Sequence, residues 1–139
     1  MSVVIDASVA LSWILPTEGT PSSLTLRDKL VDSAGMDLLV PPHYWYEVAN
    51  TLWVAVRRER ITRAAAIEML DSLLEFHLIV WPIEAALCLD LSLQLGLAVY
   101  DSAYLGLALE QGSTLWTLDH ALGEAAVRLS ISVEPVFER

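Results

Sequence analysis

The sequence predicts an α/β protein: a three-layer sandwich in which a central, mostly parallel sheet of four to five strands is flanked by helices. Short apolar runs rich in β-branched residues recur along the chain, and they are too short to be helices. Longer segments with apolar residues three and four positions apart lie between them. Strands that alternate with helices in this way form parallel βαβ units, so we expect helices on both faces of the sheet.

Five short segments are the predicted strands. The first, residues 3–5, has the sequence Val-Val-Ile and offers apolar side chains to both faces, as a central strand of a parallel sheet requires. The others are residues 38–40, 78–81, 114–117 and a short fifth strand at 132–136.

Seven further segments are predicted helices, bounded by residues that favour helix ends. Ser22 or Ser23 is expected to cap the second helix and Thr62 the fourth, because a hydroxyl can accept hydrogen bonds from the free backbone N–H groups. Pro82 is expected to open the fifth helix and Gly96 to close it. The expected ranges are 8–15, 22–34, 44–58, 63–76, 82–95, 101–112 and 119–129.

The size and composition predict one globular domain, residues 1–139. Hydrophobic residues make up 55% of the chain and charged residues 19%, which excludes a disordered protein. A domain of this size buries only roughly two thirds of the surface of its unfolded chain. Some of the apolar excess is therefore expected at the surface, which favours an oligomer or a standing protein partner.

The cysteine content and the lack of long apolar runs indicate in which cellular compartment the protein is expected. The single cysteine, Cys88, has leucine neighbours and cannot form an internal disulfide, which indicates a buried thiol in a reducing environment. No leader opens the sequence, and no run reaches the roughly 18 apolar residues of a membrane span. We therefore expect a cytoplasmic protein without membrane contact.

The charge is acidic. Eight basic residues against eighteen acidic ones give a net charge of -10, the wrong sign for binding nucleic acid by charge alone. Half of the basic residues are clustered: Arg57, Arg58, Arg60 and Arg63. Two interpretations remain open, a solvated helix end with its turn, which we favour, and a substrate-binding patch.

Four acids occupy informative positions. Asp6 and Asp119 stand at or just past the ends of two predicted strands, where α/β proteins bind ligands. Asp101 begins a predicted helix, and Glu47 lies in the first turn of another. Each acid alone is explained equally well as a turn residue or a helix cap.

Together the four acids indicate a metal site. Two unit charges about 4 Å apart cost on the order of 4 kcal/mol at an effective dielectric constant of 20, so converging carboxylates need protons or a cation. Mg²⁺ and Mn²⁺ prefer oxygen ligands. A metal ion that retains water activates that water for attack on a phosphate, so the implied chemistry is metal-assisted phosphodiester hydrolysis. The three histidines, in contrast, share no metal-ligand spacing.

Four motifs then resemble a known family. They are VVIDASVA at residues 3–10, YEVAN at 46–50, YDSAYLGLA at 100–108 and TLD at 117–119. As an ordered set over residues 3–136 they resemble the PIN domain family, and within it the VapC toxins of toxin–antitoxin pairs. The resemblance implies an endoribonuclease in which Asp6, Glu47, Asp101 and Asp119 form a catalytic pocket for Mg²⁺ or Mn²⁺.

The resemblance also implies roles for neighbouring residues and partners. Ser8 and Thr117 match hydroxyl positions that orient carboxylates or a bound water. Asn50 lies on the same helix face as Glu47 and is expected near metal-bound water or substrate, whereas Tyr104 is expected in the core. The implied partners are an RNA substrate, a cognate antitoxin and a second copy of the chain.

Two other functions remain open from the sequence. The first is a non-catalytic interaction module whose acidic pocket binds a basic partner peptide. The second is a phosphatase that acts on small phosphoesters.

Overall fold

Five parallel strands form one sheet at the centre of the structure, a computed structural model that describes residues 1–15, 20–32 and 35–135. The strands are β1 (Ser2–Ile5), β2 (Asp37–Val40), β3 (Leu78–Val80), β4 (Thr114–Trp116) and β5 (Val133–Glu134). In those residues the sheet has the order β3-β2-β1-β4-β5, and its neighbouring strands all pair in parallel. The predicted fold class is confirmed. Residue 136, the expected end of the last strand, lies outside the described residues.

Helices flank this sheet. In the described part of the chain they are α1 (Ala7–Ile14), α2 (Pro21–Asp32), α3 (Tyr44–Arg57), α4 (Arg63–Leu74), α5 (Ala85–Leu95), α6 (Val99–Gln111) and α7 (His120–Arg128). Residues 33 and 34, the expected end of the second helix, are not among the described residues. None of the helices in the described ranges combines the length and apolar character needed to cross a lipid bilayer.

The strand order changes direction at β1. From β1 the chain builds β2 and β3 on one side of the sheet and then returns to build β4 and β5 on the other. Val4 pairs with Leu39 of β2 and with Leu115 of β4, so β1 is central. The carboxyl ends of β1 and β4 are therefore adjacent at the switch point, where open α/β sheets bind ligands.

Helix α6 runs through the interior of the fold. All of residues 102–108 are buried, and Tyr104, Leu105 and Leu107 join the core that the strands form. A helix that is apolar on all sides must be covered on all sides, and α6 packs against both β1 and α5. This packing fixes the first turn of α6, which carries Asp101, relative to the sheet.

Helix α5 begins later than the sequence predicts. Pro82 does not open it, because the N–H of Trp81 donates to the carbonyl of Val40 at 2.9 Å and continues the pairing between β2 and β3. Glu84, with an extended backbone, is the N-cap, and the helix starts at Ala85. Its predicted end at Gly96 is confirmed by the left-handed conformation of that residue, φ 73°.

Helix α2 begins earlier than predicted, at Pro21. Its cap is Thr20 rather than Ser22 or Ser23: Thr20 Oγ1 accepts the N–H of Ser23 at 3.1 Å, and Ser23 Oγ accepts the N–H of Thr20 at 2.9 Å. This reciprocal pair is a capping box, and proline suits the first helical position. The predicted cap of α4, Thr62, is confirmed by its bond from the N–H of Ala65.

Gly106 lies where α6 packs against α5 and the residue Ile83 before it. A Cβ at this position would lie 3.4 Å from methyl carbons of Ile83 and Leu87, which is ordinary contact. We expect Gly106→Ala to leave stability unchanged or to raise it by up to about 1 kcal/mol, because alanine favours a helix. Gly106→Val should lower it by about 1–3 kcal/mol by overpacking. Urea denaturation measures both, and an alanine variant as unstable as the valine variant would contradict this packing.

Candidate active site

An acidic cleft lies at the switch point between β1 and β4. Its volume is about 480 Å³, and it brings together the four carboxylates that the sequence singled out. Asp6 follows β1 and Asp119 follows β4, whereas Glu47 and Asp101 come from the first turns of α3 and α6. Four segments that are distant in sequence thus supply one cavity.

The four acids differ in depth. Asp6 forms the floor and is only 6% exposed, Glu47 and Asp101 are half-buried, and Asp119 is exposed at the rim. Asp119 is also the N-cap of α7, because its Oδ1 accepts the N–H of Leu122 at 3.2 Å. Asp119 therefore caps α7, as the sequence allows, and it also lines the cleft.

Three donors hold the carboxylate of Asp6. Ser8 Oγ donates to Oδ1 at 2.5 Å, and the N–H of Val9 donates to the same oxygen at 3.3 Å. Thr117 Oγ1 donates to Oδ2. The bond from Val9 makes Asp6 the N-cap of α1. Since both oxygens are engaged, the orientation of the carboxylate is fixed.

The same two hydroxyls tie the end of β1 to the end of β4. Ser8 Oγ accepts the N–H of Leu118 at 3.0 Å, and Thr117 Oγ1 accepts the N–H of Asp119 at 3.0 Å. Each hydroxyl therefore donates to one oxygen of Asp6 and accepts a backbone N–H from the segment that leads into α7. Asp6 is thereby locked to the segment that carries Asp119.

Burial and mutual repulsion raise the pKa of two of the acids. At Asp6 burial is the largest cause and the charge of Asp119 adds to it, so the pKa rises to about 6 despite the hydrogen bonds that the carboxylate accepts. Burial also raises the pKa of Asp101, and the charges of Glu47 and Asp119 add to that effect. The carboxylates of the cleft therefore interact electrostatically.

Glu47 faces an imidazole that the sequence reasoning overlooked. His43 Nε2 lies 2.8 Å from Glu47 Oε1. The two atoms are not aligned for a hydrogen bond, and within the described residues both are buried polar atoms without one. The spacing of four residues between His43 and Glu47 is the sequence signal that indicates this contact.

Tyr104 also lines the cleft. It is 1% exposed, and its ring meets that of His43 edge-on with centroids 5.3 Å apart, so the prediction of core packing is confirmed. Its buried hydroxyl has no hydrogen-bond partner within the described ranges. Burial, followed by the charges of Glu47 and Asp6, raises the pKa of Tyr104 far above its usual range. The phenol therefore stays protonated beside the carboxylates.

Asn50 lies outside the acidic cleft. It is exposed and lines a neighbouring groove with His43, Tyr46 and Tyr100. Glu47 lines both cavities. The structure thus places Asn50 next to Glu47, but it does not bring it together with the other three acids.

The donor chemistry of the cleft suits a divalent cation, although no complete ligand set is preassembled. In residues 1–15, 20–32 and 35–135, no three His, Cys, Asp or Glu side chains are grouped so that they could hold an ion as they stand. Oxygen donors nevertheless surround one cavity, and a cation would offset the burial and the repulsion that raise the pKa of Asp6 and Asp101. The carboxylate oxygens are therefore suitable ligand atoms for the ion. Water molecules or rotation of the more exposed side chains would complete its coordination.

The clustered arginines lie away from the cleft. Arg57 and Arg58 are at the end of α3, Arg60 is in the following turn, and Arg63 begins α4; all four are exposed. Arg57 and Glu47 are ten residues apart on α3, which is about 15 Å at 1.5 Å per residue. The arginines are therefore out of direct reach of a group held between the carboxylates.

Comparison with known proteins identifies the family. The family model described as PIN domain matches residues 3–128. The chain belongs to the PIN domain family. This match covers the four motifs that carry the resemblance in the sequence.

Individual relatives agree with this assignment. Ribonuclease VapC3 of Pyrobaculum aerophilum is 33% identical over 130 residues, which cover 89% of this chain and 94% of the relative. The crystal structure of PAE2754 from the same organism matches with a TM-score of 0.70 and 25% identity over 90% of this chain and 79% of that one. The Mycobacterium tuberculosis toxin VapC20, which cleaves the sarcin-ricin loop, shares the fold with a TM-score of 0.59 at 16% identity, over 88% of this chain and 94% of that chain.

The raised pKa of Asp6 in this PIN domain predicts a pH-dependent stability. The pKa is 3.8 without the fold and about 6 within it, so the neutral carboxyl favours the folded state below pH 4, and that advantage is lost as the pH rises through 6. In chelator at pH 7.5, Asp6→Asn should therefore be more stable than the wild type by about 1–3 kcal/mol. The difference should vanish towards pH 4.

Urea denaturation across this pH range provides the measurement. Asp90→Asn is the matched control, because Asp90 is an exposed acid on α5. An Asp6→Asn variant that is less stable at every pH would show instead that the hydrogen bonds to the charged carboxylate outweigh its burial.

Thr117 is predicted to stabilise the site through its hydroxyl. Thr117→Val keeps the shape but leaves Asp6 Oδ2 without its donor and the N–H of Asp119 without its acceptor. We expect a loss of about 2–3 kcal/mol, because both groups are left unsatisfied. Thr117→Ser retains the hydroxyl, so its free energy of unfolding should fall much less. Equal losses for the two variants in urea denaturation would assign the effect to the methyl group.

Proposed function

We propose that this PIN domain is a metal-dependent endoribonuclease, a hydrolase that cuts RNA phosphodiester bonds with Mg²⁺ or Mn²⁺ as cofactor. One observation carries the proposal: four carboxylates from four segments line one cleft although their charges repel one another. An arrangement that costs stability when empty fits a site that binds a cation. The relative named Ribonuclease VapC3 supports the same activity.

In this proposal Asp6, Glu47, Asp101 and Asp119 are the catalytic acids and hold the metal ion. When bound, the ion supplies Lewis acidity, which activates water and neutralises charge that develops on the phosphate. Asp6 contributes an oriented carboxylate, because its hydrogen bonds leave it no rotational freedom. The exposed Asp119 at the rim leaves the cleft open to a large substrate.

Other residues of the cleft act through these acids or on the substrate. Ser8 and Thr117 are positioning residues, since their hydroxyls hold Asp6. The protonated hydroxyl of Tyr104 can donate a hydrogen bond to a phosphate oxygen or to a water. Asn50 lies where it can contact the RNA beside Glu47.

We further propose that the protein is the toxin of a toxin–antitoxin pair, that it acts in the cytoplasm and that it forms a homodimer. An apolar groove of about 250 Å³ between α3 and α4 supports a protein partner. Trp53 and Ile67 line it and are 54% and 64% exposed. Apolar patches of this kind mark interaction sites. A cognate antitoxin would cover the groove and place a basic side chain in the acidic cleft.

A second candidate is a non-catalytic interaction module whose acidic pocket binds a basic partner peptide. It is favoured by one observation, that the described residues contain no preassembled set of three metal ligands. A lysine or arginine needs only one or two carboxylates. The two functions differ in whether RNA is cleaved when metal is supplied.

Cleavage of total cellular RNA by the purified, antitoxin-free protein tests the proposal. We expect cleavage with Mg²⁺ or Mn²⁺ and none in excess chelator. Asp6→Asn and Asp101→Asn should lower the rate at least about 100-fold, because each removes a charged oxygen donor from the metal site. Asp90→Asn removes an acid outside the cleft and should cleave like the wild type.

Thermal melts with Mn²⁺ give an independent readout. The ion should stabilise the wild type and Asp90→Asn but not Asp6→Asn, since a ligand bound only to the folded state raises its stability. Full cleavage in chelator, or undiminished cleavage by the cleft variants, would contradict the mechanism. Binding of a basic peptide without cleavage of any RNA would favour the interaction module.

A further inference from the structure

A second groove adjoins the acidic cleft and remains without a role in the chemistry described above. Its volume is about 740 Å³, within the range of roughly 300–1,000 Å³ that is usual for ligand sites. Tyr46, Asn50 and Tyr100 line it together with His43. Glu47 lines both cavities, so the groove adjoins the cleft at this residue.

Two tyrosines dominate this groove and are unusually exposed. Tyr46 is 80% exposed and Tyr100 is 60% exposed, whereas Tyr44 and Tyr104 are each 1% exposed. Tyr46 comes from α3 and Tyr100 from α6, so two helices that are packed into the fold present them. The ring of Tyr100 also lies near that of His43, with centroids 6.3 Å apart. Two exposed rings on packed helices therefore line the same groove.

The charge of the surrounding surface decides what can bind there. Among the described residues that line the two cavities, none is lysine or arginine. The four clustered arginines lie towards the other end of α3. Within these two cavities a nucleotide therefore has no lysine or arginine among the described lining residues to pair with its phosphate, and contacts with its base become the available source of affinity.

We propose that the groove lined by Tyr46, Asn50 and Tyr100 is a stacking subsite for an unpaired nucleobase next to the phosphodiester that is cut. The inference rests on the proposed ribonuclease function and adds a substrate-binding site to it. Exposed aromatic rings stack bases whatever their sequence. The side-chain amide of Asn50 adds a donor and an acceptor for the edge of the base. A base-paired strand cannot offer a free base face, so the subsite selects single-stranded or flipped-out nucleotides.

The test uses a short single-stranded RNA that spans a cleavage position mapped in total RNA. With Mn²⁺, Tyr46→Ala should raise KM about 5- to 160-fold, the range for the loss of one base–aromatic contact. The kcat should stay within about threefold, and the affinity for Mn²⁺ should not change, because the tyrosine does not touch the reacting phosphate. Tyr46→Phe retains the ring and should behave like the wild type.

A modified substrate separates stacking from other effects. A set of substrates each carries one abasic nucleotide at a different position beside the cleavage point. We expect one of these substrates to raise the KM of the wild type by the same factor as Tyr46→Ala does on the unmodified RNA. Combining that substrate with the variant should then produce no further loss, because both changes remove the same contact. Tyr100→Ala tests the second ring in the same way. Val31→Ala, which removes a 77% exposed side chain on α2, is the remote control.

The outcomes distinguish the subsite from the function on which it rests. If the wild type cleaves no RNA with any metal, the proposed function fails and the subsite fails with it. If the wild type cleaves but Tyr46→Ala and Tyr100→Ala keep its KM, only the subsite is refuted. A loss confined to kcat with weaker Mn²⁺ binding, or a change in sedimentation that shows the tyrosines pair two copies of the chain, would also refute it.

Discussion

The site depends on one buried carboxylate and the two hydroxyls that hold it. Asp6 lies where β1 ends, and Ser8 and Thr117 each donate to one of its oxygens while accepting a backbone N–H from the segment after β4. These bonds close the switch point of the sheet and fix the carboxylate at the bottom of the cleft. They also offset part of the cost of placing an acid in a cavity that burial and Asp119 make unfavourable for charge.

Glu47 and Asp101 are positioned by helix packing, whereas Asp119 is tied to Asp6 through Thr117. Helix α6 is buried over residues 102–108, so its first turn is held rigidly and Asp101 with it. Glu47 lies at the start of α3, whose core side chains Val48 and Leu52 are buried. The hydrophobic core thus gathers charges that repel one another. This conflict between packing and electrostatics is common at functional sites, where local stability is exchanged for chemistry.

Under the proposed function an acidic protein acts on an anionic substrate. The four clustered arginines begin about 15 Å from Glu47 along α3, so they do not reach a phosphate held among the carboxylates. A divalent ion would replace repulsion by attraction at the scissile phosphate, while the exposed tyrosines beside Glu47 would contact bases. Phosphate recognition and base recognition would then occupy adjoining cavities that share one residue.

The sequence by itself determined the alternation of strands and helices, the caps at Thr62 and Gly96, and the four acids, because apolar periodicity and strand-end position are local signals. Only the tertiary structure decided three other features: the contact of His43 with Glu47, the separation of Asn50 from the cleft, and the late start of α5. Orientation around a helix and strand pairing depend on which surfaces bury each other. The raised pKa of Asp6 likewise arises from burial and from Asp119, over a hundred positions away in the chain.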